Sequence, residues 1–161
     1  MDGNMALGSH RTRDYKGKAE MDDQQTPNLE EMDEQQAHRF LSELMAKQSA
    51  QEDYAMRHQH YTMEIPQSAE RIRGREKMRE FQAGEFQHAY PNPPSMQLRR
   101  VLVRDRLWVI EWVNDYGGGR VYDVVALVEL RDGRMFRETR YYAEPFEAPG
   151  WRAQWVERME S

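Results

Sequence analysis

The sequence predicts an α+β domain in which helices come first and a meander of long strands follows, curling around a concave interior. Three observations predict it. Apolar residues recur at helical spacing in the first half, at Leu29, Met32, Phe40, Leu41, Leu44 and Met45. After Met96 the texture changes to long stretches rich in Val, Ile, Trp and Tyr. These are parted by short connections, Arg104-Asp105-Arg106, Gly117-Gly118-Gly119 and Arg131-Asp132-Gly133, of which the last two carry the glycines that hairpins require. Runs of helices followed by runs of strands pack helices on one face of an antiparallel sheet. Long strands in a small domain twist, and a strongly curved sheet closed by helices leaves a pocket.

Each element follows in chain order. Residues 1–27 hold almost no large apolar side chain, so they cannot offset their ordering entropy and are expected to form a disordered tail or a cloning-derived segment. The domain proper is expected over residues 28–161. Asn28 is placed as the N-cap of a first helix starting at Leu29. A short helix over Gln51 to His58 leads into a strand, Tyr61 to Ile65, stopped by Pro66. A third helix is expected from Gly74 to Phe81, with Met78 and Phe81 on one face. The Tyr90-Pro91-Asn92-Pro93-Pro94 loop ends the helical half. Four strands follow, at about Leu98–Arg104, Leu107–Tyr116, Arg120–Leu130 and Met135–Tyr142. The Glu144 to Gly150 stretch reads as extended, and Trp151 to Met159 as a terminal helix.

Composition bounds the function. A chain of 161 residues fits one domain. Its mean hydropathy of -1.02 reflects a polar first half. A net charge of -5 argues against a general phosphate-backbone binder, so no nucleic-acid partner is expected. The absence of Cys excludes a thiolate nucleophile, a thiolate metal site and a disulfide framework, and points to a cytoplasmic setting. No apolar run is long enough to cross a bilayer as a helix, so no membrane partner is expected.

The order of elements, with Met63-Glu64-Ile65-Pro66, Ile72-Arg73-Gly74-Arg75-Glu76 and Val128-Glu129-Leu130-Arg131-Asp132-Gly133-Arg134, resembles the NTF2-like superfamily and most of all its SnoaL-like branch. The final Pro145-Phe146-Glu147-Ala148-Pro149 with Trp151 resembles a bacterial subgroup of nuclear-transport-factor-2-like proteins without an assigned reaction. The resemblance implies a cone-shaped fold, a curved sheet wrapped around a pocket by N-terminal helices, frequently a homodimer through the outer sheet face. Members include polyketide cyclases, ketosteroid isomerases, limonene epoxide hydrolases and scytalone dehydratases, along with non-enzymatic binders, so fold alone does not set the chemistry. Where cyclases and epoxide hydrolases use a pocket Asp, the matching positions here are Arg140 and Asn114, so the resemblance does not carry their Asp-based mechanism over directly.

Strand alternation assigns the faces. Trp108, Ile110, Trp112, Asn114 and Tyr116 share one face of their strand, which by resemblance looks into the pocket. Tyr122, Val124, Ala126 and Val128 share a face of the next, and Phe136, Glu138, Arg140 and Tyr142 of the last. Glu64 and Thr62 are expected to complete the wall. The candidate catalytic residues are Glu138, Glu64, Arg140, Tyr122 and Tyr142, and the candidate substrate-binding residues are Trp108, Trp112, Asn114, Val124 and Ala126. A carboxylate in an aromatic wall is pushed up in pKa by desolvation and pulled down by a nearby Arg. Glu138 or Glu64 would act as base, Tyr122 or Tyr142 as oxyanion donor, and Arg140 as charge stabiliser or carboxylate clamp. A one-residue register slip would instead make Glu138 and Arg140 a solvated surface pair and turn Glu111 and Asp123 inward.

His58 and His60, two apart near Glu52 and Asp53, lack a recognised ligand spacing, so no metal is predicted. The glycine run reads as a hairpin, since no helix follows it to receive a phosphate. The arginines from Arg71 to Arg79 interleave with Glu70, Glu76 and Glu80 as a solvated helix face. Tyr141, Tyr142, Phe146, Trp151 and Trp155 read as core or dimer contact. The function expected is a cofactor-independent acid/base enzyme acting on a small hydrophobic molecule. The alternatives are a non-catalytic ligand-binding or dimerising module, or a scaffold using the outer sheet face.

Overall fold

A computed structural model describes residues 26–83 and 92–159. Most of the expected tail, with Tyr90 and Pro91 of the proline-rich loop, lies outside the described residues. The helices are α1 (Glu34–Lys47), α2 (Ala50–Ala55) and α3 (Arg75–Ala83). The strands are β1 (Arg57–Ile65), β2 (Glu70–Arg73), β3 (Ser95–Arg104), β4 (Leu107–Asp115), β5 (Val121–Arg131) and β6 (Arg134–Ala143). They form one open, curved, six-stranded sheet in the order β2-β1-β6-β5-β4-β3. β3 to β6 make the expected antiparallel meander. β1 runs parallel to β6 and antiparallel to β2, so the sheet as a whole is mixed.

The N-terminal half differs from expectation for local reasons. Asn28 does cap, its side chain accepting from the Glu30 N–H at 3.1 Å, but it caps only a single 3-10 turn, Leu29–Glu31. Met32 is then extended, and Asp33 forms a reciprocal capping box with Gln36 that starts the long helix afresh. α2 stops at Ala55 because β1 begins at Arg57, where Arg57 aligns with Met135 of β6. His58 and His60 are therefore strand residues. The short edge strand β2 has no periodic signal, as its four residues are mostly exposed and it pairs only with β1. The expected terminal helix is a 3-10 turn, Gly150–Trp155, that buries none of its residues. With no apolar face packed, nothing sustains a longer helix.

The core lies between one face of the sheet and the helices. Ala37, Leu41 and Leu44 of α1 and Met78 of α3 join Tyr61, Met63, Val101, Trp108, Ile110, Trp112, Val124, Ala126 and Val128 in a single buried cluster. On β4 every second residue from Trp108 to Asn114 is buried, the alternation of a strand with one face inward. The hairpin between β5 and β6 turns through Asp132 (φ 52°) and Gly133 (φ 69°). It also fastens the N-terminal turn, because the Leu29 N–H donates to the Gly133 carbonyl at 3.0 Å.

Candidate functional site

The strand register brings the inner-face side chains into rows. Trp108 aligns with Val128 and Val128 with Glu138; Ile110 with Ala126 and Ala126 with Arg140; Trp112 with Val124 and Val124 with Tyr142. The expected face assignment matches the buried positions on β4 and β5, and on β6 from Glu138 onward. At the start of β6 Met135 is buried in place of the expected Phe136, because the pairing with β5 shifts register between Glu129 and Leu130. β1 presents Tyr61 and Met63 to the same interior. Glu64 and Thr62 have the opposite parity. Glu64 instead pairs with Arg71 of β2 at 2.7 Å, in partial contact with solvent. The structure thus separates Glu64 from the other candidate catalytic residues.

At the centre of the inner face stands Glu138, 3% exposed. Its Oε2 accepts from the Tyr61 hydroxyl at 2.5 Å. Its Oε1 accepts from Arg140 Nε at 2.6 Å and lies 2.5 Å from Arg140 Nη2. Arg140 Nη1 donates in turn to the Tyr142 hydroxyl at 3.1 Å, and the guanidinium lies over the Trp112 ring, 5.3 Å from its centroid. Trp112 Nε1 donates to Asn114 Oδ1 at 2.8 Å. That bond fixes the amide so that Nδ2, a donor, is the group left to present.

The electrostatics follow from burial and pairing. Burial, then the Glu138 charge, pushes the Tyr61 phenol far above its ordinary value. Burial alone would pull the Arg140 guanidinium down, and the Glu138 carboxylate with Tyr142 and Tyr61 more than offsets it, so Arg140 is held well above its usual value. A second buried cation stands behind Tyr61. Arg57 lies 5.0 Å from the Tyr61 ring centroid and is paired with Asp53, whose carboxylate also accepts from Gln82 Nε2 at 2.9 Å. Burial opposes the Arg57 charge, and Asp53 together with Tyr61 and Glu138 outweighs that effect. Arg57 is buried with Tyr61 and Met63, whose parity it shares, although the pairing with β6 shifts register between Arg57 and Thr62.

Sequence reasoning missed Tyr61 and Arg57. The parity of Tyr61, Met63 and Ile65 was the available signal for the first. Arg57 shares that parity, but it falls inside the short helix expected over Gln51 to His58, where strand alternation gives no signal. Of the other candidates, Trp108, Val124 and Ala126 are completely or almost completely buried, and Tyr122 packs edge-on against Tyr116 at 5.8 Å. The Tyr142 backbone N–H donates to Gln67 Oε1 at 2.7 Å, which ties the end of β6 to the β1–β2 turn. Two cavities, of about 310 and 340 Å³, lie away from this cluster: one between α1 and β3 beside His38 and Arg100, the other against α1 and α2 beside Phe40 and Glu52. Among the described residues no group of three acidic or His side chains is placed to hold a metal. His58 packs edge-on against Phe136 and lies 3.4 Å from the Asp132 carboxylate.

Helices against one face of an open, curved, mixed sheet, with a buried polar cluster on that face, define a class of α+β proteins. No family model matches the chain, and no curated protein matches it. Solved structures do. An NTF2-like protein of unknown function from Burkholderia xenovorans is 27% identical, with 89% of this chain and 100% of that one covered at a TM-score of 0.63. A proposed ketosteroid isomerase from Kribbella flavida is 24% identical over 77% of this chain and 90% of that one, at 0.65. A SnoaL-like protein of unknown function from Burkholderia thailandensis is 15% identical over 68% and 93%, at 0.57. This chain is an NTF2-like protein in fold, and its likeness to the SnoaL-like structure is one of fold.

Proposed function

We infer that this protein binds a small, largely apolar molecule against the inner sheet face and carries out cofactor-independent acid/base chemistry on its polar end. The observation that carries this reading is the buried Glu138, hydrogen-bonded by Tyr61 and Arg140 on the face that the fold encloses. A buried ion pair adds little stability compared with well-packed apolar residues, so a charged cluster here is better explained by a task than by folding. The groups joined to Glu138 are donors: the Arg140 guanidinium and, through it, the Tyr142 hydroxyl. Such a set stabilises negative charge that develops on a substrate oxygen.

The reaction that fits is proton abstraction beside a carbonyl. A C–H proton passes to Glu138, the electron pair moves onto the carbonyl oxygen, and Arg140 with Tyr142 holds that oxygen. Return of the proton to another carbon completes an isomerisation; in a cyclisation the enolate carbon first adds to a second carbonyl of the substrate, whose oxygen takes the proton, and either way the carboxylate is regenerated. Trp112 and Asn114 would flank the ligand, with Trp108, Val124 and Ala126 as the packed floor beneath. Glu64, ion-paired on the other side of β1, has no part in this scheme. The outer sheet face is the proposed contact of a homodimer, and the cytoplasm the proposed setting.

A second reading, a ligand-binding or dimerising module without turnover, is favoured by one observation: both Glu138 oxygens already have donors. Thermal unfolding with a panel of steroids, aromatic polyketide-like compounds, terpenoid epoxides and short acids tests both. A ligand at about 100 times its Kd raises stability by roughly 2.7 kcal/mol. Each stabilising compound is then assayed for turnover with the wild-type protein and Glu138→Gln. Turnover that is lost in the variant while binding persists supports the enzyme; binding with no turnover in either supports the module. A panel that leaves the transition unmoved counts against both.

A further inference from the structure

The chain after β6 carries its largest side chains outside the fold. Phe146, Trp151 and Trp155 are 76%, 74% and 72% exposed, and the Gly150–Trp155 turn buries nothing. The segment still has internal order: the Arg152 guanidinium lies 5.8 Å from the Phe146 ring centroid, and the Arg152 backbone N–H donates to the Pro149 carbonyl at 3.4 Å. Three exposed aromatics in ten residues are an interaction surface that its own chain leaves unused. A second unused apolar surface lies on the outer sheet face. There Leu102 aligns with Val109 and Val109 with Leu127, while Tyr141 aligns with Val125 in a nearby row. Leu102, Leu107, Leu127 and Tyr141 are all exposed. Ion pairs lie among and around these residues, Arg100 with Glu111 in the Tyr141 row, Arg99 with Asp123 and Arg137 with Glu129 beside it, so the face offers apolar side chains with satisfied charges between them.

We propose that the segment from Glu144 to Met159 of one copy packs its Phe146, Trp151 and Trp155 onto the outer sheet face of a second copy, as a reciprocal strap. The occupant is a second copy because one chain carries both halves of the contact, and a two-fold arrangement uses each of them twice. The area agrees: wholly covering three aromatics removes about 450–750 Å² per strap, so two straps with the faces beneath them reach the roughly 1,600 Å² of a stable interface. The preformed turn lowers the ordering cost of docking. This rests on the homodimer proposed above and adds the element that closes it.

Analytical ultracentrifugation of the full chain across a concentration series tests the strap, alongside Trp151→Ala/Trp155→Ala, Leu102→Glu/Leu127→Glu and the fluorescence of the wild type. The expected result is a dimer whose Kd rises at least about tenfold in both double variants. Its tryptophan emission should shift to the blue as dimer forms, because Trp108 and Trp112 are buried already and only Trp151 and Trp155 are free to change surroundings. The strap variant should keep the melting temperature of the wild-type monomer, since it removes no buried group. If the strap variant dimerises like the wild type while the sheet-face variant does not, the dimer stands and the strap is wrong. A wild type that stays monomeric at every concentration overturns both.

Discussion

Glu138 draws its position from three strands: its own, Tyr61 on β1, and Trp112 on β4 through the guanidinium of Arg140. Removing the charge from Glu138 leaves Arg140, whose side chain is only 18% exposed, without its counter-ion. Breaking one half of such a pair costs about 3–5 kcal/mol, while replacing both halves by apolar residues of similar volume costs far less. Glu138→Gln should therefore lower stability in urea unfolding, and Glu138→Leu/Arg140→Met should recover most of the loss; a double variant as unstable as the single one would show that the pair holds the fold together. Tyr61 gives a pH signature. Its phenol is raised above the ordinary value of about 10, so between pH 10 and its folded pKa the native state keeps a proton that the unfolded chain has lost. This contribution is present in full below pH 10 and is lost above it, at about 1.4 kcal/mol per pH unit. Tyr61→Phe should flatten the alkaline slope of stability by that amount, and equal slopes would contradict the assigned burial of the phenol.

At the scale of elements, junctions decide more than helices do. The Asp33 capping box sets where α1 starts, and an Asp33→Ala change should cost about 1 kcal/mol by denaturant unfolding. The β5–β6 hairpin has a second constraint beyond its turn. Gly133 has φ 69°, and a Cβ there would strike the Asn28 side chain, coming within 2.9 Å of its Cγ. Gly133→Ala therefore strains the turn and displaces the cap of the N-terminal 3-10 turn together. It should destabilise by more than the ~1 kcal/mol usual for the backbone strain alone. Combining it with Asn28→Gly, which removes the clash, should recover the excess; additive losses would mean that the two residues are not coupled.

Across the whole molecule, stability is concentrated in the middle of the sheet. β5 and β6 each have a strand on both sides and bury alternate residues, whereas the four residues of β2 pair along one edge only. Hydrogen exchange should be slowest in β4, β5 and β6 and fastest in β2 and the Gly150–Trp155 turn, since local opening follows the number of buried contacts and paired edges. Fast exchange in β5 would overturn the assignment of the core. The same layout explains how the polar cluster is held: Glu138, Arg140 and Tyr142 sit on a strand with neighbours on both sides, so little motion is left to their backbone.

The sequence by itself determined the class of fold, the four-strand meander and the inward face of β4, of β5 and of β6 from Glu138 onward. Those features follow from local periodicity: Trp108, Ile110, Trp112 and Asn114 alternate strictly, and the hairpin residues mark each turn. It also contained Glu138, Arg140 and Tyr142 as neighbours on one face of one strand. Only the tertiary structure decided that β1 lies parallel beside β6, that Arg57 belongs to β1 rather than to the helix before it, and that Tyr61 rather than Glu64 reaches Glu138. The physical reason is range. Periodicity reports which side chains share a face within one strand, but the pairing of strands more than seventy residues apart depends on backbone bonds and packing that no short window contains.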